Sequence, residues 1–293
     1  MNGAMNRREF VGGVAAAATL VGAGTAWGDQ HKIDRVGLQL YTVRDDMKKD
    51  FDGSIAKVAQ AGYKEVEFAG YFDHTPQQVR AILDKNGLTA PSCHVAYNML
   101  GDQWPGVLEA AKVVGHQYVV CPWIDDAIRA KPEGWKQAAD TFNRAAEVAK
   151  KAGIQFAYHN HNFEFIKIDG KYAYDILLES TDPHLVKMEM DLCWITIAGQ
   201  DPLKYFAKYP GRFPLVHVKD VSKLSTSPDG APVAIDDVTK NMVAVGSGVI
   251  NFKPIFAKSS QAGIQHYFVE DDVPKSPFDE IRQSCQYLSK LSF

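Results

Sequence analysis

The chain has 293 residues, 46% of them hydrophobic and 23% charged, a composition that buries a sizeable core and excludes a disordered or coiled-coil protein. Its formal net charge of -3 leaves no basic field to gather phosphate backbones, which sets nucleic-acid partners aside. The four cysteines, Cys93, Cys121, Cys193 and Cys285, are too scattered for a disulfide framework or a CxxC metal pair and read as small buried hydrophobes.

The first element in chain order is a targeting segment. Asn6-Arg7-Arg8-Glu9-Phe10-Val11 places paired arginines before an apolar position, and "GGVAAAATLVGAGTA" then runs without charge toward Asp29. Basic, then apolar, then small residues predict a twin-arginine export signal over residues 1–28, cleaved after Ala26 or Gly28, and an exported, periplasmic protein. The apolar stretch is short and rich in Gly and Ala for a spanning helix, so no membrane association is expected after cleavage. Residues 29–293 are predicted to form a single domain.

Eight short apolar runs follow: "VGLQLYTV" (36–43), "EVEFAG" (65–70), "APSCHVAY" (90–97), "QYVVCPW" (117–123), "IQFAYHN" (154–160), "VKMEMDLCWI" (186–195), "FPLVHVKDV" (213–221) and "HYFVEDD" (266–272). Between them lie stretches with apolar residues three and four apart, such as "GWKQAADTFNRAAEVAKKAG", many closing on a glycine suited to a left-handed helix cap. Strict alternation predicts a parallel sheet with helical crossovers, and eight units predict closure into a (β/α)8 TIM barrel. A doubly wound sheet is the runner-up, but the GxGxxG loop it often carries is missing, since Gly37 is followed by "LQLYTV". Residues 222–247 are expected to form an extended loop after the seventh strand.

Catalytic groups of such a barrel sit at the C-terminal ends of its strands. Those ends carry Glu67, His94, His159, His161, Asp191, His217, Lys219, Asp220, Glu270 and Asp271. Taken singly, His94 reads as a satisfied core histidine and Glu67 as an acceptor for a neighbouring loop. Asp191 differs, because a carboxylate ending "VKMEMD" needs a cation. Strands five to eight are neighbours, so His159, Asp191, His217 and Glu270 are predicted to converge on one divalent ion, with Mn²⁺, Co²⁺, Zn²⁺ and Mg²⁺ all compatible with mixed nitrogen and oxygen ligands.

The segments "LQLYTVRD", "GYKEVEFAG", "AYHNHNFEF", "MDLCW", "LVHVKDV", "VGSGVINFKPIF" and "GIQHYFVED", in that order, resemble the sugar phosphate isomerase/epimerase group of the xylose isomerase-like TIM barrels, which includes ketose 3-epimerases and inosose dehydratases. The resemblance covers about 260 residues and implies a divalent ion, often Mn²⁺, held by Glu, Asp, His and Glu from strands five to eight. Asp191, His217 and Glu270 match the last three positions. His159 stands where the family usually has the first glutamate, followed here by Asn160 and His161.

That departure bears on the reaction. A 3-epimerase of this family moves a proton between two carboxylates on opposite faces of the carbon, and a metal-bound His159 is no free base. A lyase or dehydratase acting on an inosose or keto-glycoside needs one base and one acid, which Glu270, His161 or Lys219 can supply. Glu67, His94, Glu164, Trp194 and Trp123 are expected to meet a carbohydrate substrate, with Trp194 stacking on a sugar ring in place of the histidine that epimerases often have there. The leading expectation is a metal-dependent sugar isomerase/epimerase, with the lyase as runner-up. An apurinic endonuclease and a non-catalytic sugar-binding barrel are the outlying alternatives. A homo-oligomer fits the family.

Overall fold

The computed structural model describes residues 31–225 and 231–293. The predicted signal segment, residues 1–28, lies outside the described residues, as does part of the expected 222–247 loop.

Eight strands form, one in each apolar run: β1 (Val36–Gln39), β2 (Glu65–Phe68), β3 (Thr89–His94), β4 (Tyr118–Cys121), β5 (Gln155–His159), β6 (Val186–Asp191), β7 (Leu215–Val218) and β8 (His266–Val269). All neighbours pair in parallel, and β8 closes on β1, so the sheet is a complete barrel in chain order. The TIM-barrel expectation holds. Register sets what meets at the mouth: His159 pairs with Glu189, and Asp191 with His217.

Strands end where a side chain captures the backbone. The sixth run was read as extended to Ile195, but Asp191 Oδ1 accepts the N–H groups of Cys193 and Trp194 and starts a helix, Leu192–Ile197. Gln39 does the same after β1, accepting from Tyr41 N–H while its amide donates to Glu67.

The helix over Gly134–Lys151 shows how the outer layer is built. Trp135, Ala138, Ala139, Phe142, Ala145, Ala146 and Ala149 recur at three- and four-residue spacing and are all buried. Phe142 stacks on Tyr158 of β5 at 5.0 Å between centroids. Truncating it to alanine costs about 3–5 kcal/mol by the usual cost of a core cavity.

Tyr118, Val120, Ala157, Leu215 and Phe268 fill the lower barrel. Gly37 belongs to this layer for a steric reason, since a Cβ there would stand 2.5 Å from the Phe268 ring. The polar groups described next rest on this apolar plug.

The stretch expected as an extended loop has its own order: Asp220–Val221 pairs antiparallel with Met242–Val243, and Ile235–Thr239 is helical. Asp220 anchors it. Its carboxylate accepts the N–H groups of Val221, Gly246, Gly248 and Ile250 at 2.9–3.2 Å. The strand-end position of Asp220 therefore reflects a loop clamp. Among the described residues no helix is long and apolar enough to cross a membrane.

Candidate active site

Strands β5 to β8 present polar side chains two residues apart, hence on one face of the pleat: His159 and His161, Glu189 and Asp191, His217 and Lys219, Glu270 and Asp272. The result is a two-level polar cluster above the apolar plug.

At the lower level, Glu67 and Glu189 are completely buried. Glu67 accepts from Gln39 and Ser92, and its Oε2 lies 2.6 Å from His217 Nε2. Glu189 Oε2 lies 2.7 Å from His94 Nε2, 3.1 Å from His159 Nδ1 and 3.2 Å from His217 Nε2. Burial alone disfavours charged imidazoles, but these carboxylates reverse that for two of them. His94 is pushed up to about 9 by Glu67 and Glu189, and His217 stands well above its ordinary range through Glu189, Glu270 and Glu67. His159 goes the other way, held well below its ordinary value by burial and by His217 and His161.

At the upper level, Lys219 Nζ lies 2.8 Å from Glu270, 2.9 Å from Asp272 and 3.3 Å from Asp191. Burial works against this ammonium, yet Asp272, Glu270 and Asp191 hold it well above the usual lysine range. Burial raises Asp191 to about 6 despite Lys219 and His217, whereas Lys219 and His217 outweigh burial at Glu270 and hold it below the usual carboxylate range. His161 is kept well below its ordinary value by burial and by the charge of Lys219.

Over this floor opens a cavity of about 590 Å³, touched by His94, His159, His161, Lys219, Glu270 and Asp272. Tyr41, Tyr97 and Trp123 form aromatic wall, and Ile235, Asp236 and Thr239 of the strand-seven loop overhang it. The volume is that of a small-molecule site.

The four expected ligands do not form one set. Asp191, His217 and Glu270 bring ligand atoms within 4.8 Å of one another, as do His94, His159, Glu189 and His217 in a second, overlapping group. His159 joins the second group because its Nδ1 turns to Glu189, while its Nε2 remains 3.9 Å from Asp191 Oδ2. The residues suit a divalent ion. Asp191 Oδ2 is buried and makes no hydrogen bond, the Lys219 ammonium standing 3.3 Å from it, and hard and borderline donors surround it.

Three expectations are corrected. Glu164 does not face substrate: it is completely buried, accepts the Tyr158 hydroxyl and the His161 N–H, and so pins the turn that aims His161. Glu67 also lies below the cavity floor, enclosed by Gln39, Ser92 and His217. Trp194 borders the cavity but is completely buried, which leaves no open ring face for a sugar. Trp123 and His94 do line the cavity.

Glu189 and Asp272 were missed. The signal was present in both cases: each stands two residues from a carboxylate already singled out, Asp191 and Glu270, and so shares its face of the strand.

Residues 55–291 match the xylose isomerase-like TIM barrel family. The chain belongs to that family. Among its relatives, the inosose dehydratase of Lacticaseibacillus casei is 24% identical over 265 residues, covering 81% of this chain and 88% of that one. The inosose dehydratase of Geobacillus thermodenitrificans (strain NG80-2) is 25% identical with the same coverage. A sugar phosphate isomerase/epimerase from Parabacteroides distasonis ATCC 8503 superposes with a TM-score of 0.72 at 26% identity, over 87% of this chain and 93% of its own. The IOLI protein, solved with a zinc atom, shares the fold with a TM-score of 0.67 at 15% identity, over 86% of this chain and 95% of its own. The family is one of enzymes, and the dehydratases and the isomerase/epimerase among these relatives are named for reactions on inososes and sugar phosphates.

Proposed function

We propose that this chain is a divalent-metal-dependent lyase that dehydrates a keto-sugar or inosose, in preference to the isomerase/epimerase that the sequence put first. One observation carries the reading: the floor of the cavity pairs an ammonium, Lys219, ringed by three carboxylates, with a neighbouring imidazole, His161, whose Nδ1 has no partner. A two-carboxylate shuttle needs a carboxylate across the barrel from Glu270. That place belongs to β4, where Pro122 and Trp123 carry no carboxylate and the one that lines the cavity, Asp125, is exposed on the loop beyond the strand and not held on the polar floor. The inosose dehydratases among the relatives support the same choice.

Asp191, His217 and Glu270 would hold the ion, with His159 beside them; when bound, it polarises the substrate carbonyl and makes the α-hydrogen more acidic. Mn²⁺ is the first candidate, with Co²⁺, Mg²⁺ and Zn²⁺ as alternatives. His161 removes the α-proton. As the C–O bond to the β-hydroxyl breaks, Lys219 donates a proton to the departing oxygen, and water leaves. Glu270 and Asp272 orient Lys219, and the proton taken up by His161 returns to it through solvent, so that each turnover releases only water. Trp123, Tyr41 and Tyr97 shape the wall against which the carbon skeleton rests.

The test is product analysis with inososes, ketoses and 3-keto-glycosides. Loss of water, giving an unsaturated ketone, is expected. Recovery of an epimer or isomer, with solvent deuterium at the α-carbon and no elimination, returns the reading to isomerase. We also propose, on the sequence alone, that residues 1–28 export the folded enzyme; a double Arg7→Lys, Arg8→Lys variant should stay in the cytoplasmic fraction.

A further inference from the structure

Three imidazole nitrogens converge on one carboxylate oxygen below the cavity floor. Nε2 of His94, Nδ1 of His159 and Nε2 of His217 surround Glu189 Oε2 at 2.7–3.2 Å. The proposed reaction uses none of these four atoms. His217 turns its other nitrogen, Nδ1, up to Glu270 at 2.8 Å, and His159 turns Nε2 toward Asp191. The two rings thus stand between two donor clusters, each offering one nitrogen upward and one downward.

We infer that His94, His159, Glu189 and His217 form a second cation site beneath the first, with three imidazoles and one carboxylate suited to a zinc-type divalent ion. The donor set is that of a four-ligand zinc centre: Glu189 and His217 are completely buried, His94 and His159 reach the cavity from below, and of the upper group only Glu270 lines the cavity.

The geometry is close to what an ion needs. Bonds of about 2.0–2.1 Å in a tetrahedron place ligand atoms about 3.4 Å apart. Glu189 Oε2 stands inside that distance from each nitrogen, at 3.1 Å from His159 and 3.2 Å from His217 but 2.7 Å from His94, so seating the ion needs an outward shift that is largest at His94. Glu189 Oε1, buried, has no hydrogen-bond partner. Glu67 completes the surroundings, because its Oε2 lies 3.1 Å from His94 Nε2 and 2.6 Å from His217 Nε2, and Gln39 and Ser92 fix it in place. The charge that His94 and His217 give to these two completely buried carboxylates is two units, the same that a divalent ion supplies when the rings give up their protons to bind it.

The inference is independent of the reaction proposed above, and metal counting tests it. Stripped protein is reloaded with Zn²⁺, and bound equivalents are measured by native mass spectrometry and elemental analysis. Two per wild-type chain are expected. His94→Ala and the volume-preserving Glu189→Gln each lose one, and Asp191→Asn loses the other. Cobalt-loaded wild type and Asp191→Asn should show the visible absorption of tetrahedral Co²⁺, and His94→Ala should lose it. One equivalent or fewer in wild type overturns the second site, as does retention of both ions in His94→Ala or Glu189→Gln. Failure of elimination chemistry with both ions present would instead count against the lyase alone.

Discussion

Lys219 Nζ lies 2.8 Å from Glu270 and makes its other close contacts with Asp272 and Asp191, so one ammonium balances three carboxylates at the floor of the cavity. Removing it takes the cation from Asp272 and leaves Glu270 with His217 alone and Asp191 with the N–H groups of Cys193 and Trp194. Lys219→Met should lower stability by about 3–5 kcal/mol in metal-free protein, as for other broken buried pairs. Turnover should fall by about 10²–10⁴, the usual contribution of a positioned acid. Denaturant titration and steady-state kinetics measure both; unchanged turnover would remove Lys219 from the chemistry.

Glu164 is assigned to structure. Glu164→Gln loses one of the two acceptors offered to Tyr158 and the His161 N–H, and should cost about 1–3 kcal/mol of stability. KM should stay at the wild-type value. A raised KM with unchanged stability would return Glu164 to the substrate.

Asp220 holds the strand-seven loop through four backbone N–H groups. Asp220→Ala should cost at least about 1.5–3 kcal/mol, the scale of one hydrogen bond to a charged group, and should open residues 222–247 to limited proteolysis. Gly248→Ala should act alike, since its Cβ would stand 2.2 Å from Asp220 Oδ1 and 2.4 Å from Val221 O.

His116 gives a pH dependence with a definite sign. Its Nδ1 lies 2.6 Å from the Ala90 carbonyl and must donate to it, so Nε2 accepts from the Tyr71 hydroxyl at 2.8 Å. Burial lowers the folded ring from 6.5 to about 4. Between those values the unfolded chain binds the extra proton, so stability falls as pH drops through the window and is independent of this group above it. The full effect is up to about 3 kcal/mol. His116→Gln should flatten that part of the curve, as read by denaturant midpoints across pH.

The barrel was legible because strand and helix alternate at every unit, and many of the helices close on a glycine in the left-handed conformation, such as Gly87, Gly115 and Gly263. Residues such as Gly37 and Phe142 sit where the period requires. The site was legible to the level of strand ends, hence Asp191, His217, Glu270 and Lys219. Glu189 was passed over because a carboxylate inside an apolar run gains its meaning from three histidines on other strands. Glu164 was misplaced because the turn Phe163–Phe165 folds it back under Tyr158, a tertiary choice that spacing along the chain does not encode. His159 was assigned to the upper ligands, but nothing in the sequence tells which of its nitrogens meets which carboxylate.

The account rests on a divalent ion at Asp191, His217 and Glu270. The most direct measurement is turnover of an inosose or keto-sugar by protein stripped with chelator and dialysed, then by the same protein reloaded with Mn²⁺, Co²⁺ or Zn²⁺. The account predicts no turnover in the stripped protein and recovery on reloading; full turnover in verified metal-free protein would contradict it.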